Sequence, residues 1–214
     1  MPGVEEYDVS SDNAPQLGVY NLAVKMLPKN SWVLFIDIDE YLQLETCSTV
    51  KDFLDSFTDA DVVRLNWKCF GDCDQLHYSP EPVTERFKTP LPKDFIYNNT
   101  LPYGYTENCH VKSFLYLSDK EAFMNVHNAI VKYGKAVNAK HQEQDMFSPW
   151  QDICWEGAWI NHYQTKSTEE FAKRRFKTTD ATGNKIQENK LISWYFNANK
   201  KTPEKEAIFN DYLK

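Results

Sequence analysis

The sequence predicts an α/β fold, and three observations carry that prediction. Trp32–Ile38 (WVLFIDI) is apolar without alternation up to Asp37, as in a central strand covered on both faces of a parallel sheet. Asp61–Trp67 (DVVRLNW) is a second strand-like run. A helical pattern lies before each of them, which is the alternation expected of an α/β chain.

The elements follow in order. The first dozen residues read as loop. A helix runs from about Pro15 to Leu27, with Pro15 suited to the first helical position and Leu17, Tyr20, Val24 and Leu27 at helical spacing. Pro28 stops it. After the first strand, a short helix spans about Thr49 to Phe57, with Ser48 or Thr49 as its cap. Beyond Trp67 the texture changes: Pro80, Pro82, Pro90, Pro92 and Pro102 thin out regular structure and predict a long irregular excursion over the sheet. Short strands are predicted at His110–Leu117, Ala129–Tyr133 and Ile160–Tyr163. Ser167 and Glu170 form a capping box that opens a helix running to about Lys177. A polar loop, Thr178–Asn189, precedes two short helices near Lys190–Phe196 and Pro203–Leu213, the latter capped by Thr202.

Composition narrows the function classes. At 214 residues, 42% apolar and 26% charged, the chain can bury a sizeable core, so wholesale disorder is excluded. Lys plus Arg is 24 against 31 Asp plus Glu, a net charge of -7, which disfavours a nucleic-acid binder. Only 7 Gly are present, which disfavours a Gly-rich phosphate loop. No apolar run approaches the ~18 residues of a membrane span, and Met1–Asp8 lacks a signal-peptide pattern. The expected location is cytoplasmic, with peripheral membrane association as the alternative. The five Cys, at 47, 69, 73, 109 and 154, read as reduced thiols. Cys69, Cys73 and His77 are the weaker, zinc-binding alternative.

Chemistry concentrates at Asp37-Ile38-Asp39-Glu40. Residues two apart on a strand face the same way, so Asp37 and Asp39 are expected to converge at the strand's C-terminal end, where open α/β sheets bind ligands. Three crowded carboxylates need a cation, and Mg²⁺ or Mn²⁺, which binds through one or two carboxylates plus substrate phosphates, is the economical one. The alternative is pairing with Lys or Arg. A second group is Asn161–Ser167, where free N–H groups at the start of the capped helix, with Lys166 beside them, are expected to form an anion site. His162 is positioned as a metal ligand or a phosphate hydrogen-bond partner; the alternative is a structural histidine.

Together these segments resemble a known family. Trp32–Leu42 is similar to the W-V-hydrophobic-D-x-D-E-F-hydrophobic signature of GT-A-type glycosyltransferases of the family 2 and family 92 kind. His162-Tyr-x-Thr-Lys-Ser167, then Glu170-Phe171 and the basic Lys173–Lys177, is similar to that group's H-Y-x-x-K-S-x-E-E-F segment. Phe70-Gly71, Glu85-Arg86-Phe87 and Lys112 resemble its intermediate pieces, and the order agrees over roughly residues 16 to 177.

The resemblance implies a GT-A-like (Rossmann-like) mixed sheet with flanking helices over residues 1–177, and a C-terminal helical extension over 178–214. It implies a nucleotide-sugar donor, Mn²⁺ or Mg²⁺, and sugar transfer to a hydroxyl of a glycan or other acceptor, mainly with inversion. Asp39 would be the direct metal ligand, with Asp37 orienting the donor ribose or the metal's water. Glu40 would brace the loop. His162 would meet the metal or diphosphate, and Lys166 the departing phosphate. Arg86 would reach a phosphate bidentately or else form a structural ion pair. His127 is a further match, or else a core or surface histidine. Inversion needs a carboxylate base; Asp72, Glu85, Asp152 and Glu156 are the candidates, with Glu156 favoured because Trp155 and Trp159 flank it.

In one respect the sequence departs from the family pattern. The strands that hold base and ribose in that family have no counterpart among the roughly 31 residues before Trp32, so an incomplete core is expected, with a stranded sheet edge that favours a homo-oligomer. Two other functions fit the same residues. One is a haloacid-dehalogenase-like phosphatase, with FIDID as its nucleophile strand, although Tyr41 stands where that motif wants Thr or Val. The other is a non-catalytic remnant that binds a sugar or a partner.

Overall fold

The computed structural model describes residues 16–96, 104–177 and 185–214. The loop expected over the first dozen residues, and residues 178–184 of the polar C-terminal loop, lie outside these ranges. The described strands are β1 (Trp32–Leu34), β2 (Glu40–Leu44), β3 (Val62–Cys69), β4 (Val111–Tyr116), β5 (Ala122–Met124), β6 (Ala129–Val131), β7 (Ala136–Asn138) and β8 (Ala158–His162). The described helices are α1 (Gln16–Met26), α2 (Val50–Leu54), α3 (Val83–Arg86), α4 (Thr168–Arg175), α5 (Glu188–Ala198) and α6 (Pro203–Tyr212). The fold is a mixed α/β one.

Strand order in the main sheet is β1-β4-β3-β8-β2, with β7 also paired to β3. β3 is the central strand, and every residue of it except Lys68 is buried. It runs antiparallel to β4 on one side. On the other side it runs parallel to β7 over Val62–Arg64 and to β8 over Trp67–Cys69. β2 closes that end, antiparallel to β8. β5 and β6 form a separate hairpin.

The expected central strand at Trp32–Ile38 is corrected on two counts. β1 stops at Leu34, and it pairs only with β4, antiparallel, at the end of the sheet path. Past Leu34 the apolar residues serve other purposes. Phe35 stacks on Tyr20 of α1 at 4.4 Å, while Ile38 is 90% exposed. The nearly unbroken burial expected of a central strand belongs to β3, although its sequence includes Arg64, Asn66 and Lys68. β2, β5 and β7 were not foreseen. β2 does carry a period-two signal, since Tyr41 and Gln43 face out between Glu40, Leu42 and Leu44.

Neighbouring residues of β3 point to opposite faces and so feed two cores. Val63 and Leu65 pack with Phe53 and Leu54 of α2, Phe171 of α4, Leu191 and Tyr195 of α5, and Phe209 of α6. The C-terminal helices therefore share one core with the sheet. Val62 packs with Val24 of α1, Leu115 of β4, Met124 of β5 and Val131 of β6.

Polar ties complete the scaffold. The buried Arg64 guanidinium donates to the carbonyls of Asp145, Met146 (2.6 Å) and Ser148 (2.9 Å), and so shapes the loop before β8. Buried Lys205 of α6 pairs with Asp72 at 2.7 Å and Asp74 at 3.0 Å. The Tyr195 hydroxyl donates to Asp72 and shares a 2.8 Å hydrogen bond with Thr168, the first residue of α4. This network bolts α5 and α6 to the start of α4. Tyr195→Phe leaves the Asp72 carboxylate and the Thr168 hydroxyl one partner short inside the core. The expected loss is about 1–3 kcal/mol in urea unfolding, with the fold retained; an unchanged midpoint would show the network to be ornamental.

Candidate functional site

The acidic turn lies between β1 and β2. Because β1 ends at Leu34, Asp37 and Asp39 do not sit on a strand, and the expected convergence of their side chains is not seen. The turn closes on itself: Glu40 N–H donates to the Asp37 carbonyl at 2.9 Å, and Asp37 N–H donates to Glu40 Oε2 at 2.9 Å. Asp37 then faces Lys112 of β4, whose Nζ lies 3.0 Å from Oδ2, with Gln16 Nε2 3.1 Å from Oδ1. Asp39 faces the other way and is paired with Arg174 of α4 through Oδ2.

Lys112 is 1% exposed and is also 3.2 Å from Glu40 Oε2 and 3.1 Å from the Val126 carbonyl. Burial alone would lower the Lys112 pKa, but Glu40 and Asp37 outweigh it and hold it above the ordinary lysine value. Burial pushes the Glu40 carboxyl up to about 7 against the opposing pull of Lys112. Resident cations therefore supply the counter-charge that the crowded acids require. The Lys or Arg alternative holds for Asp37 and Glu40, and in part for Asp39.

His162 does reach this site. It ends β8 directly opposite Glu40 of β2, and Tyr163 N–H donates to the Asp39 carbonyl at 2.9 Å. Burial drives its pKa down to about 3, against the pull of Asp39, so the ring is neutral. Burial also opposes the charge on Asp39, and its nearby basic groups outweigh that, keeping the carboxyl below the usual carboxylate range. With His162 neutral, we assign that effect to Arg174.

Three imidazoles surround the Trp67 indole. The ring-centroid separations are 4.1 Å to His162, 4.7 Å to His110 and 5.1 Å to His127. His110 is a structural histidine. Trp150 Nε1–H can only donate, so Nε2 of His110 accepts it at 3.1 Å, and Nδ1–H donates to the Glu107 carbonyl at 3.0 Å. By contrast, His162 Nδ1, His127 Nδ1, Trp67 Nε1 and Glu40 Oε1 are buried with no hydrogen-bond partner among the described residues. Orphaned polar atoms are uncommon in a folded interior, and these gather beside the acidic turn. Neither the His127 ring nor the floor of Trp67 had been read as part of this cluster. His127 was noted in isolation, and only the three-dimensional contacts unite them.

The expected anion site at the start of α4 is corrected. Ser167 N–H donates to Glu170 Oε2, and Glu170 N–H to Ser167 Oγ, as the capping box requires. Thr168 N–H and Glu169 N–H donate to the carbonyls of Gln75 and Leu76 at 3.1 and 3.0 Å. The excursion after β3 folds back and takes these donors, which no local pattern reveals. Lys166, in the left-handed region at φ 53°, lies in the electrostatic neighbourhood of Asp39. Arg86 is committed to Glu170 by two contacts, at 2.6 and 3.3 Å, and to Gln75 at 3.1 Å.

Glu156 is not brought to this turn. It precedes β8, whose Ala158 and His162 stand about 13 Å apart at ~3.3 Å per residue, and it pairs with Lys140 at 2.6 Å on the surface. Asp72 is held by Lys205, and Glu85 by Lys88. Asp152 has no ion pair among the described residues. It lies in a loop pinned to Asn66 of β3, through a 3.2 Å contact to the Gln151 carbonyl and a 3.0 Å contact from Cys154 N–H. Trp155 Nε1–H donates to the Trp67 carbonyl at 2.8 Å, so this loop runs beside the histidine cluster.

Among the described residues, no group of three or more His, Cys, Asp and Glu could hold a metal ion. This includes the Cys69, Cys73 and His77 set. Also among the described residues, no helix is long and apolar enough to cross a membrane. No family model matches the chain, and no curated protein matches it significantly.

The buried neutral imidazoles make the fold sensitive to acid. The pKa of His162, His110 (about 4) and His127 lies below the ordinary histidine value, chiefly through burial. Each therefore takes up a proton on unfolding below pH ~6.5, and stability falls with pH. Glu40 works oppositely: its raised pKa means that it releases a proton on unfolding between about 4.5 and 7. The histidines win, with a net uptake of about two protons near pH 5.5, each worth about 1.4 kcal/mol per pH unit. Urea unfolding at pH 7, 6 and 5 should show stability dropping steeply, and a flat profile would contradict buried neutral rings.

Proposed function

We propose that the chain is a metal-dependent glycosyltransferase of GT-A-like architecture that moves a sugar from a nucleotide-sugar donor to a hydroxyl acceptor with inversion. The observation that carries the reading is the meeting of Asp39 and His162. They come from the two segments whose motifs resemble that family: Asp39 immediately precedes β2, His162 ends the adjacent β8, and orphaned polar atoms lie beside them.

Two protein donors here suit Mn²⁺ or Mg²⁺. Asp39 offers a carboxylate and His162 an unpartnered neutral nitrogen, and phosphate and water oxygens would complete the shell. When bound, such an ion supplies charge stabilisation for a departing nucleoside diphosphate. Asp37, held by Lys112 and Gln16, is fixed to orient the donor ribose. Lys166 adds positive charge where the diphosphate gains negative charge as its bond to the sugar breaks. Glu40 braces the turn through its bond to Asp37 N–H. For the base that deprotonates the acceptor hydroxyl we take Asp152 rather than Glu156, because it has no basic partner among the described residues and its loop adjoins the histidine cluster.

The other enzymatic reading, a haloacid-dehalogenase-like phosphatase with Asp37 as nucleophile, is distinguished by hydrolysis of p-nitrophenyl phosphate. Release of UDP from a panel of UDP-hexoses with Mn²⁺ tests the proposal. Asp39→Asn should lower turnover by about a hundredfold or more. Nucleotide and metal binding without turnover on any donor and acceptor would instead favour a sugar- or partner-binding remnant, and absence of nucleotide-sugar binding would end the reading.

A further inference from the structure

A diphosphate needs cationic donors, and the obvious ones are already engaged. The α4 N–H groups serve Ser167, Glu170, Gln75 and Leu76. Arg86 is tied to Glu170, with its side chain 6% exposed, and Lys112 is sealed at 1%. Arg174 differs. It stands in the last turn of α4, donates through Nη1 to Asp39 Oδ2 and through Nη2 to the Gln164 carbonyl at 2.7 Å, and keeps 31% of its side chain exposed. A guanidinium carries five N–H donors, and these contacts use two. Its planar fork matches phosphate oxygens as well as carboxylate oxygens, and it is more weakly hydrated than an ammonium.

We propose that Arg174 is the phosphate-binding residue of this site, exchanging Asp39 Oδ2 for the oxygens of a ligand diphosphate. The ligand class rests on the nucleotide-sugar reading above. The exchange conserves charge pairing at each stage. With the guanidinium on Asp39, that buried acid is neutralised; with the guanidinium on phosphate, the Asp39 oxygen becomes available to a cation. Arg174 thus competes with the cation for Asp39, yet cooperates with it when a diphosphate is present. Lys166 shares the neighbourhood but, as a point charge, lacks the bidentate fork.

The test uses three probes on the whole chain and on its Arg174→Ala and Arg174→Lys variants. UDP and inorganic pyrophosphate are titrated calorimetrically with Mn²⁺, and Mn²⁺ alone is followed by electron paramagnetic resonance. Arg174→Ala is expected to weaken UDP and pyrophosphate about ten- to a hundredfold, as loss of a charge-assisted contact does. Arg174→Lys should fall between, and Mn²⁺ alone should bind the Ala variant more tightly than wild type. Unchanged UDP and pyrophosphate affinity in the Ala variant overturns the assignment. So does a parallel loss of all three ligands with a lowered melting temperature, which would make Arg174 only a structural partner of Asp39. Pyrophosphate binding that depends on Arg174, without UDP binding, sinks the nucleotide-sugar reading and leaves Arg174 standing. If wild type binds neither, both fall.

Discussion

A lysine ammonium with 1% exposure cannot be left alone in a protein interior, and the geometry of the acidic turn follows from that constraint. Lys112 sits on β4 and draws Asp37, Glu40 and the Val126 carbonyl onto one nitrogen. These partners come from the β1–β2 turn and from the loop before β6. One buried cation therefore joins the edge of the sheet to its neighbours. Removing one partner of such a group typically costs about 3–5 kcal/mol, since the survivor stays buried and uncompensated.

The same constraint divides the acids by role. Asp37 and Glu40 are spoken for by a cation that solvent does not reach, so they set the shape of the turn. Asp39 is answered by Arg174, whose side chain is partly exposed and attached to a different element. Asp39 has a counter-ion that a ligand can contest, so the proposed chemistry centres on Asp39, His162 and Arg174 rather than on all three carboxylates. The neutral imidazoles fit this arrangement. Positive rings beside Lys112 and Arg174 would repel them, whereas neutral ones can pack against Trp67.

Local signals were legible where a single turn of chain decides the outcome. Thr49 and Thr202 accept from Asp52 N–H and Lys205 N–H, and Ser167 and Glu170 satisfy each other, as their spacing implies. Strands were harder to read. The run from Trp32 to Ile38 looks more strand-like than any other, yet only three of its residues pair. Apolarity records packing and not the identity of the neighbour, and Phe35 is partly buried against Tyr20 of α1 rather than within the sheet. β5 and β7, of three residues each, are too short for a periodic pattern to register.

Taken alone, the amino-acid order determined the mixed helix-and-strand character, the helix caps, and the two segments whose acids and histidine adjoin. Those are short-range consequences of periodicity and hydrogen bonding between near neighbours. Tertiary structure decided which cations answer the acids, that carbonyls of residues 75 and 76 close the start of α4, and that Glu156 stands at the wrong end of β8. The Lys112–Asp37 pair spans 75 residues and the Arg174–Asp39 pair 135. Coulomb attraction acts through space and leaves no periodic trace along the chain, so partners that distant become visible only once the sheet has brought them together.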